Sequence, residues 1–221
     1  MPASPKITLY VDLVSPFGYV AYHLLRNDPV FKSCEVTYIP IFLGGLMKAC
    51  GNTAPINITN KNFWIDRERR LWANMFNIPM KDDIPAGFPI MTLNLMRHLA
   101  ALRDLDGNQT RMVELIDVLS NELWAKHTEI HKPEVFQPIL QRALGATDYA
   151  KLVEAVPTKG KSLLMANTDK AFADQAFGLP WLVCTNAKGE TQTFWGVDHL
   201  GVAASFMGLE KPSAGPWKSV L

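Results

Sequence analysis

A serine followed by a proline, Ser15-Pro16, lies where an apolar strand pattern gives way to a helical one. Residues 7–11 are rich in β-branched and aromatic side chains, and residues 20–25 have helical spacing. Ser15 is therefore predicted to be an N-cap, with Pro16 as the first helical residue. The free N–H groups of a helix start stabilise an anion in front of them, such as a thiolate. Two interpretations stay open: Ser15 only caps its helix, or its hydroxyl also faces an anion.

Two other kinds of site, a two-histidine metal site and a Ser-His-Asp triad, are not supported by the sequence. His127 and His131 have the spacing of two metal ligands on one helix face, but no glutamate directly follows His127 and Pro133 soon interrupts the segment. A Ser-His-Asp triad built on Ser15 would lack the glycines that flank such a nucleophile, and His23 is not placed to serve it. We therefore expect neither a bound metal nor a nucleophilic serine.

Composition narrows the function classes. The chain has 221 residues, 48% hydrophobic and 19% charged, which suits one large globular domain or one domain with a sizeable insertion. A net charge of +1 provides no broad basic field, so nucleic acid is not expected as a partner. No apolar run is long enough to predict a membrane span.

Cysteine usage and the two ends of the chain bear on its location. Cys34, Cys50 and Cys184 are widely separated and form no CxxC motif, which fits a reducing compartment rather than a disulfide framework. The first residues carry no apolar signal-like run. The final Ser-Val-Leu is similar to a Ser-Lys-Leu peroxisomal address but lacks its basic middle residue. We expect a cytoplasmic protein, with the peroxisome and the mitochondrion left open.

The predicted elements form a strand–helix–strand unit, a long helical region, a strand hairpin and a last helix. Strands are predicted at residues 7–11, 34–40, 180–185 and 191–195. Between and after them, helices are predicted at residues 16–25, 42–49, 63–76, 92–103, 109–126, 133–144, 148–155, 160–176 and 199–207. The charged run at 66–70 is predicted to face solvent.

This order is the thioredoxin topology interrupted by a helical insertion. The fold class is therefore α/β, with a thioredoxin-like βαβ…ββα domain at residues 1–41 and 158–221 and an all-helical insertion domain at 42–157. Proteins of this topology hold a cis proline where Pro180 opens the third strand. A cis bond there would expose the backbone of Leu179 to a peptide-like ligand.

Four stretches give the chain a family resemblance: residues 10–17, 44–52, 176–180 and 194–198. The chain resembles the kappa-class glutathione transferases and the related 2-hydroxychromene-2-carboxylate isomerases. Both belong to a larger group that includes bacterial disulfide oxidoreductases. Ser15 stands where those oxidoreductases carry the first cysteine of CxxC, so disulfide exchange through this position is not expected.

The resemblance implies that glutathione is the co-substrate or cofactor, that no metal is needed, and that Ser15 is the catalytic residue. The implied glutathione-binding residues are Asn52, Lys61, Leu179, Pro180, Asp198 and His199. Asn52 and Lys61 would hold one end of the tripeptide, and Asp198 would pair with its α-ammonium group. The alternatives are surface loop positions for Asn52 and Lys61, and an N-cap of the last helix for Asp198.

The chain departs from the kappa pattern after its last strand. Val197 and His199 stand where these enzymes commonly have serine and arginine, which removes one hydroxyl and one permanent cation. Glutathione binding is therefore expected to be weaker than in a standard member. Phe17, Trp64 and Trp181 are candidates for an electrophile pocket, with ordinary core packing as the alternative for each.

The expected activity is transfer of glutathione to an electrophilic small molecule, or peroxide reduction with it. Free thiols with a pKa of about 8.5 are only roughly 3% ionised at pH 7, so the enzyme must favour the thiolate. A first alternative is a glutathione-dependent cis/trans isomerase, and a second is a non-catalytic thioredoxin-like binding module. The resemblance also implies a homodimer.

Overall fold

The computed structural model describes residues 4–220. Two sequence-based expectations therefore reach beyond the described residues. The stretch without a signal-like run begins at Met1, and the tripeptide weighed as a peroxisomal address ends at Leu221.

The centre of the described chain is a four-stranded mixed sheet. Its strands are β1 (Lys6–Val11), β2 (Glu35–Pro40), β3 (Trp181–Thr185) and β4 (Thr191–Trp195), in the spatial order β2-β1-β3-β4. β1 pairs with β2 in parallel, and β3 is antiparallel to both β1 and β4. This order, with the helices between β2 and β3, confirms the predicted thioredoxin topology with a helical insertion.

Helices account for most of the remaining described residues. They are α1 (Pro16–Asn27), α2 (Leu43–Ala49), α3 (Lys61–Met75), α4 (Leu93–Asp106), α5 (Thr110–Lys126), α6 (Pro133–Leu144), α7 (Ala146–Ala155), α8 (Lys161–Ala173) and α9 (Leu200–Phe206). All nine were predicted, mostly to within three residues at each end. A π-helical turn at Val156–Gly160, which the sequence analysis did not predict, joins α7 to α8. The predicted domain boundaries at residues 42 and 157 stay a prediction.

The two faces of the sheet are covered unequally. A large apolar cluster on one face joins α1, α9 and the inserted helices α4 and α5. A smaller cluster on the other face contains Tyr10 of β1, Trp181 of β3, Leu46 of α2 and Ala171 of α8. Hydrogen bonds join the residue after β1 to the start of α1 and to the start of α2.

The charged run at 66–70 does not lie wholly in solvent as predicted. Arg69 is buried, and its guanidinium donates to the carboxylate of Asp66 and to the backbone carbonyls of Lys81 and Asp82. A buried arginine is tolerated when its donors are satisfied in this way. The prediction was wrong for Arg69 because those carbonyl partners lie in a loop after the helix.

The loop before β3 contains the predicted cis proline. The Leu179–Pro180 bond is cis, as is a second bond at Phe88–Pro89 that was not predicted.

Across the described residues, the structure has no helix with both the length and the apolar character needed to cross a membrane.

Candidate functional site

Ser15 is the N-cap of α1, as predicted. Its backbone is extended, with φ −85° and ψ 113°, and its Oγ accepts a hydrogen bond of 3.0 Å from the Gly18 N–H. The side chain is 5% exposed. Since Oγ acts as an acceptor here, the hydroxyl hydrogen remains available, and it has no acceptor among the described residues. The capping interpretation is thus confirmed, and it leaves one donor for a ligand.

The loop with the cis bond lies beside this helix start. A Cβ added to Gly18 would lie 3.1 Å from Ser15 Oγ and 3.8 Å from Leu179 Cβ, so both side chains border the same glycine. The Pro180 carbonyl accepts from the Gly196 N–H at 3.1 Å, which fixes the loop to the end of β4. Within residues 4–220, neither the N–H nor the C=O of Leu179 has a hydrogen-bond partner. Both groups are free to pair with an added peptide-like strand.

Asn52, in the segment after α2, contacts the same loop. Its side-chain amide donates to the Phe177 carbonyl at 2.7 Å, which links the segment after α2 to the residues before Leu179. The side-chain oxygen and the second amide hydrogen of Asn52 make no other bond within the described chain. The Cys50 Sγ lies 3.8 Å from the same carbonyl. The structure therefore places Asn52 in contact with the loop that contains Leu179 and Pro180.

Asp198 and His199 follow β4 in an exposed 3-10 turn that packs against α1. The Asp198 side chain is 67% exposed, and its Oδ2 lies 3.4 Å from the His199 Nδ1. Gly196 has a φ of +94°, and Asp198 Oδ1 occupies the space that a Cβ at Gly196 would need.

The alternative that Asp198 caps the last helix is wrong. Gly196 is the N-cap of the 3-10 turn and His199 that of α9, and neither position makes a side-chain capping bond. Asp198 instead keeps its carboxylate exposed, in a turn that contacts α1, where it is open to a cationic group.

Lys61 is the first residue of α3 rather than a loop residue. Its side chain is exposed and makes no ion pair within the described part of the chain. The preceding loop contains a short 3-10 turn, Pro55–Asn57, that packs against α3. Lys61 and Asn52 thus flank the same loop, and the cation of Lys61 is not committed to a protein partner.

The three aromatic residues predicted to line an electrophile pocket lie in different environments. Trp181 is 6% exposed and belongs to the smaller core cluster, Phe17 is half-buried against the larger one, and the Trp64 side chain is exposed. The exposed aromatic surface beside the cis bond belongs instead to Phe177 and Trp195, whose ring centroids are 4.8 Å apart. Trp181 and Trp195 are cross-strand partners, and the ring of Phe177 contacts both. Phe177 therefore covers Trp181, and the exposed aromatic surface is left to Phe177 and Trp195.

Asp12 is a site residue that the sequence analysis did not single out. It directly follows β1, is 2% exposed, and accepts hydrogen bonds from Thr92 Oγ1 at 2.6 Å and the Leu43 N–H at 2.8 Å. Burial raises the pKa of Asp12, while the hydrogen bonds that it accepts act in the opposite direction. The one signal in the sequence was a carboxylate at the end of an apolar strand.

The thiols of Cys34 and Cys184 and the hydroxyl of Tyr19 on α1 are poorly suited to the predicted chemistry. Burial, with a smaller contribution from Cys34, raises the pKa of Cys184 to about 12, and burial also raises the pKa of Cys34. Burial, aided by the charge of Asp117, raises the pKa of Tyr19 to about 12, and its hydroxyl is committed to the Pro79 carbonyl at 3.2 Å. Ser15 is therefore the hydroxyl at this helix start with a free hydrogen.

The described residues also contain no group of three or more histidine, cysteine or acidic side chains arranged to hold a metal ion. His127 takes a left-handed conformation at the end of α5, so it does not share a helix face with His131.

Comparison with known proteins bears on the family and the fold of the chain. A family model described as a DSBA-like thioredoxin domain matches residues 6–208. Glutathione S-transferase kappa 1 of Caenorhabditis elegans is 26% identical over 96% of this chain and 95% of its own, and that of Rattus norvegicus is 27% identical over 94% and 92%. A solved structure of 2-hydroxychromene-2-carboxylate isomerase superposes with a TM-score of 0.74 at 20% identity, covering 92% of this chain and 94% of that one.

Proposed function

The chain belongs to the DSBA-like thioredoxin family and has Ser15 at the N-cap of α1. We propose that it is a glutathione transferase of kappa type. In this proposal the protein binds glutathione, ionises its thiol and presents the thiolate to an electrophilic small molecule. One observation carries the proposal. Among the described residues, Ser15 Oγ accepts from Gly18 while its own hydrogen has no acceptor, and the neighbouring Leu179 backbone has no partner.

Each site residue binds a different part of glutathione in this proposal. The Leu179 N–H and C=O pair with the cysteinyl residue, as in strand addition. Asn52 and Lys61 bind the glycine carboxylate through an amide and an uncommitted cation. Asp198 faces the α-ammonium group at the other end. The positions of Asn52, Leu179 and Asp198 around α1 and the cis bond support this division.

Ionising the thiol is within reach of this site. Lowering a thiol pKa by about two units requires roughly 2.7 kcal/mol of preferential stabilisation of the thiolate. A charge-assisted hydrogen bond from Ser15 supplies about 1.5–3 kcal/mol, and the start of α1 adds about 0.3–1 kcal/mol. The two contributions together are sufficient without a general base, because the serine donates and does not attack.

Val197 and His199 set this site apart from the kappa pattern. Val197 is buried and offers no hydroxyl, and the His199 ring lies beside Asp198 where an arginine would add a permanent charge. We therefore expect weaker binding of the γ-glutamyl end, and His199→Arg should strengthen it.

A glutathione-dependent isomerase is the second candidate, favoured by the fold it shares with 2-hydroxychromene-2-carboxylate isomerase. The same thiolate would add reversibly to an unsaturated substrate, allow rotation about a bond, and leave unchanged. The two activities differ in mass balance, because a transferase consumes glutathione stoichiometrically and an isomerase does not.

Calorimetric titration of the wild-type protein with glutathione tests the proposal first. We expect one saturable site, and absence of heat and of any binding would favour the non-catalytic binding module instead. An activated aryl chloride and an α,β-unsaturated acid are then offered as electrophiles. Loss of free thiol in step with product identifies a transferase, and product formed at constant glutathione identifies an isomerase.

We also propose a homodimer, as the resemblance implies. The outward side chains of Phe63, Trp64 and Leu71 give α3 an exposed apolar surface that a second copy could cover. Sedimentation at micromolar concentration should show twice the chain mass of 24.7 kDa. A single species of one chain mass would contradict the dimer.

A further inference from the structure

The buried carboxylate of Asp12 joins three segments that meet behind the candidate site. Oδ2 accepts from the N–H of Leu43, the first residue of α2, at 2.8 Å. Oδ1 accepts from the hydroxyl of Thr92, directly before α4, at 2.6 Å, and from the Val14 N–H at 3.3 Å. All three partners donate, so the carboxylate is used throughout as an acceptor.

These bonds belong to a closed path of contacts around the site. The backbone carbonyl of Asp12 accepts from the Ser15 N–H at 3.1 Å, and its carboxylate accepts from the Val14 N–H, so the backbone and the side chain of Asp12 both hold the loop that presents Ser15. From Leu43, α2 leads to Asn52, whose amide binds the Phe177 carbonyl at 2.7 Å. Two residues later Leu179 borders Gly18, and through it Ser15. Asp12 is thus the junction between the residue that faces the thiol and the segment that holds the cis-proline loop.

We propose that Asp12 is a positioning residue, which sets the distance between the Ser15 hydroxyl and the Asn52–Leu179 side of the glutathione site. This inference rests on the proposed function and adds a residue to it. Asp12 itself does not touch the ligand in this proposal. It acts through the placement of Ser15 on one side and of α2 on the other.

An acceptor is needed at this position because the donors around it are buried. An apolar side chain would leave the Leu43 N–H and the Thr92 hydroxyl without partners in the interior, which is costly. Asparagine could keep both bonds, since its oxygen accepts from Leu43 while its amide donates to Thr92 Oγ1 after the hydroxyl rotates. The asparagine variant therefore keeps the two short bonds to Leu43 and Thr92, and loses the negative charge and the long 3.3 Å bond from the Val14 N–H, whereas alanine loses all three bonds.

The test compares wild type, Asp12→Asn and Asp12→Ala for glutathione affinity and for the titration midpoint of the bound thiol. For Asp12→Ala we expect affinity to fall about tenfold and the thiol pKa to rise by about one unit, because Ser15 no longer meets the sulfur. For Asp12→Asn we expect affinity within about twofold of wild type and a thiol pKa that is not raised. Wild-type binding is measured first, so failure of the proposed function would appear there and not in the variants.

Asp117→Ala serves as the matched control. The Asp117 carboxylate also joins α1 to another helix, by accepting from the Tyr22 hydroxyl at 2.6 Å and from Arg26 at 2.8 Å, but it contacts the far half of α1. We expect this variant to lose thermal stability and to keep the wild-type thiol pKa. An equal pKa rise in Asp117→Ala would mean that any loosening of α1 has the same effect, which would overturn the specific role of Asp12.

Two further outcomes would also overturn the proposal. One is a folded Asp12→Ala with wild-type affinity and thiol pKa, and the other is an Asp12→Asn as impaired as Asp12→Ala. If Asp12→Ala does not fold, Thr92→Val and Thr92→Ser replace it. The valine variant should weaken glutathione binding about threefold and the serine variant should restore it, and equal behaviour of the two would contradict the proposal.

Discussion

Asp12 and Asp198 are two carboxylates of the candidate site, and the protein buries the first and exposes the second. Asp12 is 2% exposed and accepts from two backbone N–H groups and one hydroxyl. Asp198 is 67% exposed, and its neighbour within ion-pair distance is His199 at 3.4 Å. Both carboxylate oxygens of Asp12 accept hydrogen bonds from the protein, whereas the carboxylate of Asp198 is open to solvent.

This difference separates the reacting end of the site, where Ser15 meets the thiol, from its two recognising ends, which are formed by Asp198 and Lys61. Ser15 is presented by a buried network of protein hydrogen bonds, so the donor for the thiolate is held in place by the fold itself. Asp198 and Lys61 keep exposed charges that a ligand would have to order. We infer that changes at the reacting end alter the chemistry of the thiol, whereas changes at the recognising ends alter affinity alone.

The largest expected effect is that of Ser15→Ala on turnover. Loss of the charge-assisted bond should raise the thiol pKa by roughly one to two units, which leaves about ten- to hundredfold less thiolate at pH 6. The rate deficit should shrink as the pH rises and nearly vanish above pH 9, where both proteins hold ionised thiol. Rates from pH 6 to pH 9 check this, with Ser205→Ala on α9 as the control serine. A deficit that stays constant across this range would contradict a role in ionisation.

A smaller effect is expected from Asp198→Asn, and it should appear in affinity. Removing the carboxylate that faces the α-ammonium group should weaken glutathione binding about tenfold, while the pKa of bound thiol and the melting temperature stay unchanged. Calorimetry and the thiol titration measure the two quantities. Asp169→Asn, at an exposed position of α8, is the matched control. A shifted thiol pKa in Asp198→Asn would contradict the inference that changes at the recognising ends alter affinity alone.

Lys61→Gln should reduce affinity by about two- to fivefold, because an exposed cation on a flexible side chain contributes modestly. The remaining binding should depend less on salt than in wild type, since one screened charge pair is lost. Lys161→Gln is a close control, as Lys161 is also exposed and also opens a helix. Equal salt dependence in wild type and Lys61→Gln would remove Lys61 from the binding site.

The smallest effect is expected from the cysteines. A variant with serine at Cys34 and Cys50 and alanine at Cys184 should keep turnover within about twofold, because none of the three lies at the start of α1. In the native protein, Cys184 should resist alkylation at pH 8, since burial raises its pKa to about 12. Loss of glutathione-dependent turnover in a folded variant would contradict the serine-centred account.

Local signals in the sequence predicted the parts of the site that depend on neighbours along the chain. The strand before Ser15, the proline after it and the spacing of α1 were sufficient to predict the N-cap. The order of strands and helices predicted the cis bond at Pro180 through the topology that it implied.

Partners distant in sequence explain what was missed. The carboxylate of Asp12 is bound by Leu43 and Thr92, which are 31 and 80 residues away. The burial of Arg69 depends on carbonyls in the next loop, and the exposure of Phe177 and Trp195 depends on the register of β3 and β4. No periodicity or capping pattern contains such contacts, because they arise only when the segments pack.

The central claim is that the Ser15 hydroxyl stabilises the thiolate of bound glutathione. Ultraviolet absorbance of the thiolate, followed as pH is raised, measures the pKa of bound thiol in wild type and Ser15→Ala at saturating glutathione. The account predicts a wild-type midpoint about two units below the free thiol value of about 8.5, and a midpoint roughly one to two units higher in Ser15→Ala. An identical midpoint in the two proteins would contradict it and leave Ser15 as a helix cap alone.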